Sequence, residues 1–309
     1  MGRSETRRSA ELRTVYERVI AGAPVRRRHV DVGAGRRVHV LETGGDGPPL
    51  VLRHGTTASA GMFLPLLAEL QGIRAVAPDR PGHGLSDPID FPRQRLREMA
   101  VAWVDHLLDG LELDSAALLG HSGGGLWALW YALAHPERVD RLLLLAPPAL
   151  PRTRCPLPLR LIATPGLGAL VALVSPPSPK SVLQFARSMG EQETLAAHPD
   201  LIDLFVAAGR DPIADRAGRS ELRAIASPLA LLTRSGFRRS ARVPPDQLRQ
   251  VIPPTLVVWG DREPLGAVPV ARDVAELISH TRLEVLPAGH APWRGHPART
   301  AALVAAFVR

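Results

Sequence analysis

The residues with the clearest chemical potential lie in Leu118–Gly125, which reads LLGHSGGG. An apolar run leads into Gly120-His121-Ser122-Gly123-Gly124, and a stretch compatible with a helix comes next. This is Gly-x-Ser-x-Gly in the strand-turn-helix setting that lifts a serine hydroxyl above a sheet edge. Glycines on both flanks permit the tight turn. The backbone N–H of Gly123, at the start of the helix, would face an anion formed at the serine. Ser122 is therefore a candidate nucleophile, and acyl transfer is the chemistry it would perform. The plain alternative is a glycine-rich turn between core elements. A serine hydroxyl ionises far above neutral pH, so an adjacent base is required. Eleven histidines are available, and residue type alone does not choose among them.

Holding Ser122 in place requires a sheet, and the surrounding pattern supplies one. A helix is expected at Ala10–Ile20, then two strands at His29–Val32 and Arg37–Glu42, turned by Gly33–Gly35 as a hairpin would be. Apolar runs at Pro49–Arg53, Ile73–Ala77, Ala116–Leu119 and Arg141–Ala146 read as strands. Helical patterns at Met62–Leu70, Arg95–Gly110 and Leu126–Ala134 separate them. Buried strands alternating with helices indicate a parallel sheet covered on both faces. The alternation stops at Pro147 and resumes after Pro254 with a strand (Thr255–Trp259), a helix (Val268–Ser279), a strand (Arg282–Leu286) and a helix (Pro297–Val308). The expected class is α/β: a mostly parallel, twisted sheet flanked by helices, with a mostly helical cap inserted after the sixth strand. Residues 28–148 and 251–309 form the expected core, 149–250 the cap, and 1–27 a basic N-terminal helical segment.

Composition narrows the partners. The 309 residues are 45% apolar and 22% charged, ordinary globular values. A net charge of +8 invites a nucleic-acid reading. Lys180 is the only lysine, however, so the excess is arginine and looks like GC-rich coding. The charge is also uneven. Residues 1–37 hold ten Arg against four acids, 38–148 eight Arg against thirteen acids, and 149–250 fourteen basic residues against eight acids. Only 4% of residues are aromatic, too few for a base-stacking stripe. Trp103, Trp127, Trp130 and Trp293 read instead as core or pocket lining, and no nucleic-acid partner is expected. Cys155 is the single cysteine, which excludes an intrachain disulfide and a zinc site on paired cysteines. Neither a phosphate-binding G-x-x-x-x-G-K-[ST] nor H-E-x-x-H occurs, so no cofactor or metal is expected. Met1–Val19 is charged throughout and does not read as a secretory signal. Gly2 and Thr6 fit a myristoylation pattern, which the bacterial-looking composition argues against. The longest apolar run, Leu157–Val174, is broken by Pro158, Arg160, Pro165 and Gly166, so no spanning helix is expected. A soluble, cytoplasmic protein is the expectation, with the oligomeric state open.

Three more segments have a recognisable form. His54-Gly55-Thr56-Thr57 comes after the third strand. Asp79-Arg80-Pro81-Gly82-His83-Gly84-Leu85-Ser86 comes after the fourth. Leu286–Pro297 reads LPAGHAPWRGHP after the last. With the serine turn, these make the chain similar to members of the α/β-hydrolase fold superfamily over roughly residues 28–148 and 251–309. The resemblance implies that the Thr56 amide joins Gly123 in an oxyanion hole. It implies that the Asp79–Ser86 turn is architectural, with Ser86 capping or bracing and His83 at most bordering the pocket. It also implies that His290 is the catalytic base, with His296 a surface or packing residue. Family order puts the acid after the strand Thr255–Trp259. Glu263, three residues after Gly260, fits best, and Asp261 competes. Relatives often carry an acid near Gly295; its absence here would alter a bracing contact. A serine at the turn argues against the aspartate-dependent dehalogenases and epoxide hydrolases of this fold.

Together these residues imply an esterase-like serine hydrolase taking an ester, lactone or thioester through an acyl-enzyme. Its substrate would be a hydrophobic or acyl small molecule selected by the cap. The same residues would also serve a thioesterase, a carbon–carbon bond hydrolase, an acyltransferase or a lyase. A non-hydrolytic accessory or ligand-binding protein is a further alternative, since His54–Ser59 (HGTTAS) is similar to the turn of tetrapyrrole-pathway accessory members. A surface-binding protein using the basic N-terminal segment is the last.

Overall fold

Short runs of Leu, Val and Ala become strands where helices cover both of their faces. The computed structural model describes residues 9–89, 95–227 and 231–309, so Gly2 and Thr6 lie outside the described residues. The chain opens with α1 (Ala10–Ala21), β1 (Arg26–Asp31), β2 (Arg37–Glu42) and β3 (Leu50–Arg53). Next come α2 (Leu64–Glu69), β4 (Ala75–Pro78), α3 (Leu96–Gly110), β5 (Ala116–His121), α4 (Gly123–Ala134) and β6 (Val139–Leu145). The expected helix at Met62–Leu70 is split, its first turn being a 3-10 turn at Ala60–Phe63.

Between β6 and the next strand lie helices, loops and an isolated antiparallel bridge, Ala226–Phe237, among the described residues. The helices are α5 (Leu157–Ala163), α6 (Leu167–Val174), α7 (Pro179–Ser188), α8 (Gln192–Ala196), α9 (Pro199–Arg210), α10 (Pro212–Ile225) and α11 (Pro245–Leu248). The chain then returns through β7 (Thr255–Gly260), α12 (Val268–Leu277), β8 (Thr281–Leu286), α13 (Pro292–Gly295) and α14 (Pro297–Val308). The short α13 has no counterpart in the sequence expectation.

The strands make one eight-stranded sheet in the order β1-β2-β4-β3-β5-β6-β7-β8. β1 and β2 are the expected antiparallel hairpin, and β2 pairs antiparallel with β4. Every other pairing is parallel. Alternate residues of a strand point to opposite faces. In β6, Leu142 and Leu144 accordingly join a core with Trp103, Trp127 and Val274, while Leu143 and Leu145 join a second core with Phe63, Leu66 and Val304. Both faces are covered, which is why the central strands read as unbroken apolar runs.

The N-terminal helix α1 is fastened both to the turn after β4 and to the helical segment after β6. Leu12, Tyr16 and Ile20 are buried. The Tyr16 hydroxyl donates to Asp79 Oδ1 at 3.0 Å, and Ser9 N–H donates to Asp211 Oδ2, ahead of α10, at 2.8 Å.

Candidate active site

The turn between β5 and α4 is built by close approach. A Cβ on Gly124 would lie 2.3 Å from the Arg53 carbonyl oxygen, and one on Gly120 would lie 2.5 Å from the Gly124 carbonyl oxygen. Only glycine lets these backbones touch. The turn drives Ser122 to φ 50° and ψ −123°, a region that costs a non-glycine residue about 1–3 kcal/mol. Two bonds hold it there: Ser122 N–H donates to Leu145 O at 2.9 Å, and Leu126 N–H donates to Ser122 O at 3.0 Å.

The amide beside the serine lies against Thr56. A Cβ on Gly123 would stand 2.5 Å from Thr56 Oγ1 and 3.4 Å from Thr56 N. The Gly123 and Thr56 backbones thus meet at the ends of adjacent strands, β5 and β3. His54 shapes the second turn. Its Nδ1 donates to Gly55 O at 2.8 Å, and its Nε2 accepts the Arg80 N–H at 2.9 Å. Burial, reinforced by the Arg80 charge, pushes its pKa well below the usual histidine range.

His290 lies beyond the end of β8, and Glu263 beyond the end of β7. The Glu263 carboxylate receives His290 Nδ1 at 2.9 Å on Oε1 and 3.0 Å on Oε2, and Oε1 also accepts Leu265 N–H at 3.0 Å. With Nδ1 engaged, Nε2 is the ring nitrogen left for a reacting group. Asp261, the competing acid, points elsewhere: it is half exposed and lies 3.6 Å from Arg262 Nε. His296 bonds Pro287 O at 3.1 Å.

Ser122, His290 and Thr56 open on one cavity of about 550 Å³. Its remaining walls come largely from the helical segment after β6, including Leu159, Ile162, Val171, Phe185, Phe205 and Leu222. His83 borders it while bonding Pro81 O through Nδ1 at 3.0 Å. Cys155 lines it too, with burial pushing its thiol up to about 12, so it stays protonated at neutral pH.

Four groups that organise this site were not anticipated. His121, the residue before the serine, holds the His290 loop: its Nε2 meets the His290 carbonyl oxygen at 2.8 Å. Burial and the neighbouring His290 push its pKa well below the usual range. Asp79 accepts from Tyr16, from Ala60 N–H at 2.7 Å and from Leu85 N–H at 3.0 Å, and also meets His39 Nδ1. Ser86 braces the same turn as expected, its hydroxyl donating to Asp79 O and accepting His39 N–H.

The third is a fully buried bidentate pair across the two parts of the chain. Arg80 Nη1 and Nη2 donate to Glu221 of α10 at 2.5 and 2.8 Å. The guanidinium also lies 4.8 Å from the Trp127 ring centre. A Cβ on Gly123 would be 3.3 Å from Glu221 Oε1, so this carboxylate stands beside the serine turn. The fourth is Glu191, between α7 and α8. It accepts Ala291 N–H at 2.9 Å and the Thr194 hydroxyl at 2.6 Å, and lies 3.4 Å from Arg294. His290 N–H donates to Met189 O at 3.0 Å. Glu191 and Met189 thus brace the loop carrying His290 from the helical segment after β6. A Cβ on Gly295 would press to 2.8 Å on Thr194 Cγ2, which explains the small residue there.

The sheet order, the serine turn and the acid–histidine pair define a class. Residues 48–293 match the family described as the alpha/beta hydrolase fold, and the chain belongs to that family. It is 39% identical over 122 residues to 2-hydroxymuconate semialdehyde hydrolase from Pseudomonas sp. strain CF600, a match spanning 37% of this chain and 41% of that one. It is 27% identical over 263 residues to the pimeloyl-acyl-carrier-protein methyl ester esterase of Shewanella oneidensis, spanning 83% and 89%. In structure it is similar to carboxylesterase CesB from Bacillus subtilis, with a TM-score of 0.73 at 21% identity over 96% of both chains. That likeness establishes the fold.

Proposed function

We propose that the protein is a serine hydrolase acting on an ester-like carbonyl, with Ser122, His290 and Glu263 as its triad. The observation carrying this reading is the 2.9 and 3.0 Å contact of His290 Nδ1 with Glu263 behind a cavity shared by His290 and Ser122. His290 Nε2 takes the Ser122 proton as Oγ attacks the carbonyl carbon. The Gly123 and Thr56 amides donate to the resulting oxyanion. On collapse the alcohol leaves with the proton from His290, and Ser122 carries the acyl group. Water then gives a proton to His290 and its oxygen to the acyl carbon, releasing the acid and restoring Ser122. Glu263 keeps Nδ1 protonated and stabilises the imidazolium.

Residues 149–250 act as the cap in this reading. Their apolar contribution to the cavity supports an acyl or alcohol portion that is itself apolar. The similarity to the Shewanella methyl ester esterase, over 83% of this chain, supports an ester. The higher identity of the shorter Pseudomonas match favours hydrolysis of a 2-hydroxymuconate semialdehyde-like substrate as a second reading, through the same serine. The test is turnover of p-nitrophenyl esters of increasing acyl length, of acyl thioesters and of 2-hydroxymuconate semialdehyde, with Ser122→Ala as control. Ester turnover lost in Ser122→Ala, with fluorophosphonate labelling of Ser122 in the parent, is the expected result. Full activity in Ser122→Ala would overturn the nucleophile. Labelling of Ser122 without turnover of any substrate would point to the non-hydrolytic alternative.

A further inference from the structure

The longest apolar run of the sequence, Leu157–Val174, becomes two short helices, α5 and α6, packed on each other. α6 reads LGALVALV and has no polar face. Gly168 and Val171, with Ser175 just beyond its end, line the cavity. On the other side Leu170, Leu173 and Val174 are 52%, 78% and 71% exposed. Positions i, i+3 and i+4 share one helical face, so α6 turns a Leu/Val surface toward solvent. Leu157 of α5 is also exposed, as are Leu231 and Leu232. Arg160 of α5 draws that loop in by donating to the Thr233 and Arg234 carbonyls. Among the described residues, six of the seven exposed large hydrophobics belong to this corner; Ile252 is the seventh.

The sequence on either side of the corner is rich in Arg, and Arg152 pairs with Asp273 of α12. The sequence stretches 150–190 and 222–245, within which the corner lies, contain ten Arg or Lys and no Asp or Glu. Arg154 and Arg234 are exposed, three residues before Leu157 and two after Leu232. Monomeric proteins rarely leave contiguous apolar surface uncovered, and such patches mark interaction sites. A second copy seated symmetrically would bring two cationic rims together, which like charge disfavours. An anionic bilayer answers both features. Leucines enter the headgroup–acyl boundary, while nearby Arg and Lys are drawn to the negative surface potential.

We propose that the corner formed by α5, α6 and residues 231–234 docks on an anionic lipid bilayer. α6 then stands between the bilayer and the cavity, so the two are separated by about one helix diameter, roughly 10 Å. Docking itself does not depend on the hydrolase reading.

The experiment is co-sedimentation of the full chain with vesicles of phosphatidylcholine alone or mixed with phosphatidylglycerol. The parent and Ser122→Ala bind the mixed vesicles equally and the neutral ones far more weakly. Binding falls when salt rises from about 0.1 to about 1 M, as the screening length shrinks from about 10 to about 3 Å. Leu170→Glu/Leu173→Glu abolishes binding, and Arg154→Gln/Arg234→Gln weakens it roughly tenfold or more. Turnover of a soluble ester without vesicles is unchanged in the leucine pair, which separates loss of docking from loss of catalysis. Absence of binding to mixed vesicles, or binding that survives the leucine substitutions, overturns the proposal. So does a concentration-dependent dimer that the leucine pair dissolves while no vesicle binding is seen, since a second copy would then be the occupant.

Discussion

Glu263 and Asp261 are two positions apart on one turn, yet the structure gives them opposite surroundings. Glu263 is buried, bonded to His290 Nδ1 and fixed by Leu265 N–H. Asp261 is half exposed beside Arg262. Glu263→Gln would leave an amide opposite Nδ1 and remove the charge that supports an imidazolium. We expect kcat to fall on the order of 10³–10⁴-fold, with KM little changed. Asp261→Asn should leave both constants within about twofold. Equal losses in the two variants, in steady-state kinetics, would contradict the assignment. The family's order of serine, acid and histidine directs attention to the turn after β7, which holds both residues. Side-chain length decides between them only in three dimensions.

At the scale of elements, the serine turn was legible because its contacts are local: Gly120, Ser122 and Gly124 are neighbours in the chain. The groups that steady the turn and the His290 loop were not. Arg80 and Glu221 are 141 residues apart, and Glu191 and Ala291 are 100 apart, so no short pattern joins them. The one trace was the missing acid near Gly295, which said that a brace differed without saying what supplied it. Glu191→Ala frees the Ala291 amide and loosens the loop carrying His290. Its expected signature is a kcat reduced roughly 10–100-fold with a smaller change in KM, and partial recovery in Glu191→Gln. Arg80→Met strands a buried carboxylate and should cost about 3–5 kcal/mol in denaturant unfolding. Arg80→Met/Glu221→Leu should recover most of that loss, because neither charge remains. If the double variant is as unstable as the sum of the singles, the pair is not coupled.

Over the whole molecule, the order of strands and helices was readable from alternation and periodicity, since each central strand is covered on both faces. Boundaries drifted where backbone geometry rules, as at the 3-10 turn Ala60–Phe63 and the unforeseen α13. Global stability also carries a pH signature. His54 and His121 are neutral in the fold, held low chiefly by burial. Unfolding returns each to an ordinary value near 6.5. Below that value the unfolded chain binds more protons than the folded one, so their contribution is complete above about pH 6.5. It drains as pH falls toward the folded values, by up to about 1.4 kcal/mol per pH unit for each histidine. Calorimetry should find the Tm falling steeply below about pH 6. A Tm unchanged down to about pH 5 would rule this out.

The grip of Glu191 and Met189 on the His290 loop limits how freely such a fold exchanges its parts. A helical insertion without an acid at position 191 would leave the Ala291 amide without its carboxylate acceptor. Such a chimera would lose one of the bonds that hold the loop carrying His290. The helical segment and the histidine loop are therefore mechanically coupled, and a design that replaces one must preserve its contacts with the other.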